Sequence, residues 1–246
     1  MQHRSKKIKK SFFIILVVLI VLSGGSAIYL SNYYHSVDVE KYMNGSWEVS
    51  VEKFDKGWFF DGAGEEKALI FYPGAKVATE AYAPLMYQLA ESGIDCFLVD
   101  MPFHMAFFGM NRAEEIMQEY NYEAWYLGGH SLGGAMAANF AADYVEDHTD
   151  GIRGLLLLAA YPTKDLSTSD MSVVTVYGSE DGVLNMDKIV AGRELMPQDY
   201  KEVCIEGGNH AQFGSYGAQK GDGTAAIPAE KQWARTVEVF VGDESE

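Results

Sequence analysis

Cysteine is almost missing from this 246-residue chain. The two present, Cys96 and Cys204, sit singly inside apolar runs, which excludes a disulfide framework. Neither has a basic neighbour that would activate a thiolate, so both read as core residues. No Cys-x-x-Cys occurs, and the histidines lack ligand-like spacing, so no metal site is expected. Dinucleotide and phosphate-loop motifs are absent, and no cofactor is expected. Internal repeats and low-complexity stretches are absent as well.

Basic residues are scarce too: 19 Lys and Arg face 35 Asp and Glu, a net charge of −16. Five of the basic residues (Arg4, Lys6, Lys7, Lys9 and Lys10) crowd the first ten positions. The remainder holds 14 against 35, a net of −21. Such a surface repels nucleic acid and anionic headgroups; it argues against a nucleic-acid partner and serves solubility.

Long apolar runs are missing with one exception. Residues 12–30 carry no charge, and their first half, Phe12 to Leu22, is unbroken hydrocarbon. The stretch is just long enough to cross a bilayer as a helix. Residues 1–11 then read as a basic cytoplasmic tail and 12–30 as a transmembrane signal anchor. The remainder is expected outside the cytoplasmic membrane. Tyr29, Tyr33 and Tyr34 suit the far interface. A cleaved signal peptide is the competing reading, with Gly25-Ser26-Ala27 as a weak cleavage pattern that would release a secreted protein. No cysteine follows the run, which argues against a lipoprotein anchor.

Residues 31–46 read as a tyrosine-rich connector, and 47–246 as one domain, a length that buries a sizeable core. Trp47 to Asp61 suggests a hairpin, turning near Lys56-Gly57. After it, short apolar runs alternate with helical patterns. Strands are expected at Ala68–Tyr72, Cys96–Val99, Ala124–Leu127, Leu155–Ala159, Val173–Tyr177 and Tyr200–Ile205. Helices are expected around Leu85–Leu89, Arg112–Tyr120, Leu132–Val145, Met186–Leu195 and Ala229–Val241, with Pro84 blurring the start of the first. Strands apolar on both faces, alternating with helices, predict an α/β fold: a mostly parallel sheet covered on each side behind a leading hairpin. In such sheets ligands bind beyond the carboxyl ends of the strands.

There the sequence offers Gly129-His130-Ser131-Leu132-Gly133, after a strand and opening a helix. This is the context of a nucleophile elbow, where glycines let a serine stand on a tight turn above the sheet. Ser131 needs a base oriented by an acid. His210, in Gly207-Gly208-Asn209-His210, is the only histidine after Ser131 that follows a strand. His148 lies in an acidic, solvated stretch, and His130 reads as structural. The acid is expected at the end of Val173–Tyr177, in Gly178-Ser179-Glu180-Asp181-Gly182. Asp181 suits a carboxylate on a tight Asp-Gly turn, and Glu180 is the alternative. Two amides are expected to form an oxyanion hole: Leu132, just after the serine, and Ala75, beside Gly74 in Pro73-Gly74-Ala75-Lys76.

These four motifs, with Ala211-Gln212-Phe213-Gly214 after the histidine, fall in an order that resembles alpha/beta hydrolase family 5, relatives of the dienelactone hydrolases. The likeness runs from about Leu69 to Val241. It implies the α/β-hydrolase fold, with Ser131, Asp181 and His210 as a catalytic triad, and an N-terminal membrane segment is common among such proteins. The dienelactone hydrolases themselves carry a cysteine nucleophile where this chain has serine, so their substrate is not transferred.

The expected function is that of a membrane-anchored serine esterase, cleaving small to medium ester-like substrates through an acyl-enzyme. An acyltransferase, a peptidase and a non-catalytic binding protein are the alternatives. Only a dozen or so residues separate the strands at Leu155 and Val173, so no large cap is expected. Phe103, His104 and Phe107 are offered as an apolar substrate wall, with a loop packed over the core as the bland alternative.

Overall fold

The computed structural model describes residues 31–148 and 151–243, together with Leu16, Val18 and Gly25. The chain divides into two units, Met1–Tyr33 and Tyr34–Glu246. Apart from those three residues, the expected tail and membrane segment lie outside the described residues. Among the described residues no helix is long and apolar enough to cross a membrane.

The second unit opens with a short helix, α1 (Glu40–Met43), and the strands β1 (Ser50–Phe54) and β2 (Gly57–Asp61). Then follow β3 (Lys67–Tyr72), α2 (Ala83–Glu91), β4 (Asp95–Val99), α3 (Arg112–Glu119), β5 (Ala124–His130) and α4 (Leu132–Asp147). The chain closes with β6 (Ile152–Leu158), β7 (Ser172–Gly178), α5 (Met186–Gly192), β8 (Tyr200–Ile205) and α6 (Ala229–Asp243). One eight-stranded sheet results, in the order β1-β2-β4-β3-β5-β6-β7-β8. The hairpin β1–β2 is antiparallel and joins β4 antiparallel; every later pairing is parallel.

The strands nearest the middle are apolar because both faces are covered. Leu69, Phe71, Leu156 and Leu158 pack toward a core shared with Leu85, Leu89, Trp233 and Phe240 of α2 and α6. Ile70, Leu127, Leu155 and Leu157 point the other way, toward Ala113 and Ile116 of α3 and Ala137 and Ala141 of α4. Pro84 does not disturb α2, because it stands in the first turn, where a missing N–H has no intrahelical partner to lose. The same helix ends at Gly93, whose φ of +89° lets the Ile94 N–H reach back to Leu89 O at 3.1 Å.

Two expectations change. Trp47 stands outside β1 and is 90% exposed. Cys204 is exposed rather than in the core, on β8, the last strand of the sheet. From Tyr34 onward the connector is tied to the domain, since Tyr34 pairs with Val77 in a parallel bridge. Residues 159–171, between β6 and β7, contain no helix or strand, so nothing large overhangs the carboxyl ends of the sheet there.

Candidate active site

β5 ends at His130 and α4 begins at Leu132, leaving Ser131 alone to make the turn. It does so at φ +54° and ψ −122°, a costly backbone state for a residue with a side chain, of the kind that concentrates at functional sites. Its N–H donates to Leu158 O at 2.9 Å, which ties the turn to β6. The first turn of α4 presses on the end of β3: a Cβ at Gly133 would lie 2.1 Å from Tyr72 O and 2.4 Å from Pro73 O. Only glycine fits there, and the close approach brings the β3 loop alongside the serine.

That loop is pinned on both sides of Ala75. The Gly74 N–H donates to the Tyr82 hydroxyl at 3.0 Å, and the Lys76 N–H donates to His104 O at 2.7 Å. The amides of Ala75 and Leu132 make no hydrogen bond among the described residues, so two backbone donors remain for a ligand.

His130 braces the site from below. Its ring is buried, with Nδ1 2.7 Å from the Tyr82 hydroxyl. That hydroxyl also accepts from Gly74, so one phenol ties the loop after β3 to the end of β5. Burial, seconded by the neighbouring His210, pushes the His130 pKa well below the usual histidine range and keeps the ring neutral. Burial likewise holds the Tyr82 phenol protonated.

Above it lies His210, with ring centroids 4.4 Å apart. His210 Nδ1 is 2.9 Å from Asp181 Oδ2, and both side chains are only 2% exposed. The second Asp181 oxygen accepts the N–H groups of Val183 and Leu184 at 2.9 and 2.8 Å, which fixes the carboxylate's orientation. Glu180, the alternative, is exposed and accepts from the Ser179 hydroxyl at 3.1 Å. The geometry thus gives the histidine an aspartate partner and sends the glutamate to solvent.

A cleft of about 340 Å³ brings Ser131 and His210 together. Leu132, Ala135, Met136, Val183 and Leu184 make its apolar wall, and Tyr161, Thr163 and Asn185 add polar groups. Phe103, His104 and Phe107 do not line it. Their segment folds into two single 3-10 turns, Pro102–His104 and Ala106–Phe108, with Phe103 and His104 at positive φ. Phe103 and Phe107 are 57% and 66% exposed, and Phe107 borders a separate cleft with Phe108 and Arg112. His104 serves instead through its carbonyl, which holds Lys76.

Two contributors went unread in the sequence. Asp222 accepts N–H groups from Gly182, His210 and Ala211, at 3.1, 3.2 and 2.8 Å. It stands in Gly221-Asp222-Gly223, an Asp-Gly turn like the one that favoured Asp181, and that signal was available. Gln232 of α6, wholly buried, accepts the Asn209 N–H at 3.0 Å and donates to Asn209 O at 2.8 Å. Nothing in a helical pattern marks a glutamine for that task. No group of three or more potential metal ligands occurs among the described residues.

A model of the alpha/beta hydrolase family matches residues 68–234. No curated protein matches the chain. Among solved structures, the chain is similar to a carboxyl esterase from the mycorrhizal fungus Tuber melanosporum, with a TM-score of 0.59 at 13% identity over 85% of this chain and 89% of that one. It is similar to an esterase of Pyrobaculum calidifontis, with a TM-score of 0.59 at 14% identity over 83% and 87%. A monoacylglycerol lipase of Paleococcus ferrophilus gives 0.57 at 14% identity over 80% and 99%. At such identities the likeness is one of fold.

Proposed function

The chain belongs to the alpha/beta hydrolase family, and from that premise we propose that it is a serine hydrolase of small to medium ester-like substrates. His210 takes the proton of the Ser131 hydroxyl as its oxygen attacks the substrate carbonyl. Asp181 holds the imidazole with Nδ1 protonated, Nε2 facing the reaction, and stabilises the imidazolium. The oxyanion is received by the amides of Leu132 and Ala75. The imidazolium then returns its proton to the leaving alcohol, and an acyl-enzyme remains. Water, deprotonated by His210, releases the acid and restores the serine.

One observation carries this reading: a buried 2.9 Å Asp181–His210 pair opens onto the same cleft as a serine held at positive φ. A strained serine and a buried carboxylate–histidine pair brought to one cleft favour catalysis over binding alone. The apolar wall of the cleft suits an acyl chain rather than a charged group.

The uncharged stretch 12–30, preceded by five basic residues, supports a tether to the cytoplasmic membrane with the hydrolase on its far side. Sedimentation with membranes that resists carbonate, together with protease access from outside, tests the tether separately from the chemistry.

A fluorophosphonate probe tests the chemistry. Wild type is expected to be labelled and Ser131→Ala is not, with p-nitrophenyl esters hydrolysed in the same pattern. Equal labelling of the two proteins removes Ser131 from its role. Transfer of the acyl group to an added alcohol or amine in preference to water would point to an acyltransferase.

A further inference from the structure

We propose that Tyr34 is a positioning residue of the active site, and that the segment Tyr34–Val37 is a strap holding the oxyanion loop and the histidine loop in register. The inference rests on the hydrolase reading above and concerns what keeps its parts in place.

The strap grips the oxyanion loop through its backbone. The Tyr34 N–H donates to Lys76 O at 2.7 Å, and the Ala78 N–H donates to Tyr34 O at 2.8 Å. These bonds flank Val77, two residues from the Ala75 amide. Lys76 stands at φ +57°, a state that a side-chain-bearing residue leaves readily once its neighbours stop holding it.

The same residue grips the other loop through its side chain. The Lys220 N–H donates to the Tyr34 hydroxyl at 3.2 Å. The Tyr34 ring lies against Tyr216, with centroids 5.6 Å apart. Three residues on, the Val37 N–H donates to Ser215 O at 2.8 Å, and the Ser215 hydroxyl returns to Val37 O at 2.6 Å. The segment so held, Ser215 to Lys220, leads directly into Asp222, the carboxylate that collects the amides of His210, Ala211 and Gly182.

Two loops far apart in sequence are therefore bridged by one tyrosine. Residues 73–78 supply an oxyanion donor, and residues 210–222 supply the base and its support. Neither contains a strand of the sheet or an α-helix, and 210–222 holds only the single 3-10 turn Ala211–Phe213. Their mutual position decides whether a carbonyl oxygen reaches Ala75 while its carbon sits at Ser131. Catalysis is sensitive to such placement and binding much less so. Tyr34 touches neither substrate nor reacting atom, and its contribution passes through Lys76 and Lys220.

The test uses the full-length chain in detergent, with p-nitrophenyl acetate as substrate and a fluorophosphonate as a second readout. Tyr34→Ala is expected to lower kcat about tenfold with KM within about twofold of wild type, because geometry is lost and the cleft is not. Tyr34→Phe keeps the ring against Tyr216 and loses only the Lys220 bond. It is expected to recover part of that loss, to about threefold below wild type. Probe labelling at Ser131 should slow in the same order. A Tyr34→Ala protein with kcat within about twofold of wild type overturns the proposal, as does a loss confined to KM. Should Tyr34→Ala lose its far-ultraviolet spectrum, Tyr34→Phe decides: reduced kcat at unchanged KM supports the strap, and wild-type kcat overturns it. A wild type that neither hydrolyses the ester nor takes the probe removes the hydrolase reading and this one together. An active wild type matched by Tyr34→Ala removes only this one.

Discussion

One Asp222 oxygen accepts both the His210 N–H, at 3.2 Å, and the Gly182 N–H, at 3.1 Å. Gly182 follows Asp181, so a single carboxylate spans the loop of the proposed base and the loop of its acid. The same oxygen takes the Gly223 N–H at 2.8 Å, and the other takes Ala211. Each donor is a backbone amide and Asp222 is half-buried, so removing the acceptor leaves amides without a partner.

Asp222→Ala is therefore expected to lower kcat by about 10- to 100-fold, through displacement of His210 against Asp181. Asp222→Asn keeps an oxygen for three of the amides and is expected to lose less. Steady-state kinetics on a p-nitrophenyl ester, compared at matched far-ultraviolet spectra, check the order. Equal kcat in wild type and Asp222→Ala would show that the loops need no such bridge.

Asp181 and Glu180 are neighbours with opposite environments, one side chain 2% exposed on His210 and the other in solvent. Asp181→Asn is expected to reduce kcat by about 10³- to 10⁴-fold, because an amide favours the wrong imidazole tautomer. Glu180→Gln should change it less than about twofold, as exposed substitutions generally do. Reversal of that order would reassign the acid.

Gly133→Ala tests the elbow from its packing side. A methyl at 2.1 Å from Tyr72 O meets backbone and not a flexible side chain. The variant is expected to lose about 1–3 kcal/mol of stability, or not to accumulate at all. Chemical denaturation of variant and wild type measures it, and an unchanged midpoint would mean that α4 sits further from β3.

Glu202 provides a pH-dependent check on the β7–β8 edge. The Arg193 guanidinium beside it, with the hydroxyls of Tyr177 and Tyr200, lowers its pKa to about 2. A carboxylate whose pKa is depressed on folding stabilises the fold above its unfolded pKa of about 4.3 and loses that contribution as pH falls toward 2. Arg193 is half exposed, so solvent screening keeps the contribution of the pair small. Glu202→Gln should thus melt below wild type at pH 6, and the gap should close between pH 4 and 2. A gap that stays constant with pH would assign the effect to packing.

Much of this was legible in one dimension. Strand positions followed from apolar runs because strands covered on both faces admit few polar residues. The elbow was legible because its constraints are local: Ser131 turns alone between β5 and α4, and Gly133 must approach β3. His210 was legible as the candidate base from chain order and the strand before it. Cys204 was misplaced because an apolar run does not say which strand ends the sheet. The substrate wall was not legible because Phe103 and Phe107 are aromatic wherever they stand, and only the folded chain leaves them exposed and out of the cleft that holds Ser131.

By itself, then, the sequence determined the α/β alternation, the turn that presents Ser131 and the segments able to carry an acid and a base. Those features depend on residues within a few positions of one another. Tertiary structure alone set Asp181 against His210 and Glu180 in solvent, recruited Asp222 and Gln232, and stitched Tyr34 across two loops. Each of those choices depends on backbone groups brought together from distant positions, and periodicity carries no record of them.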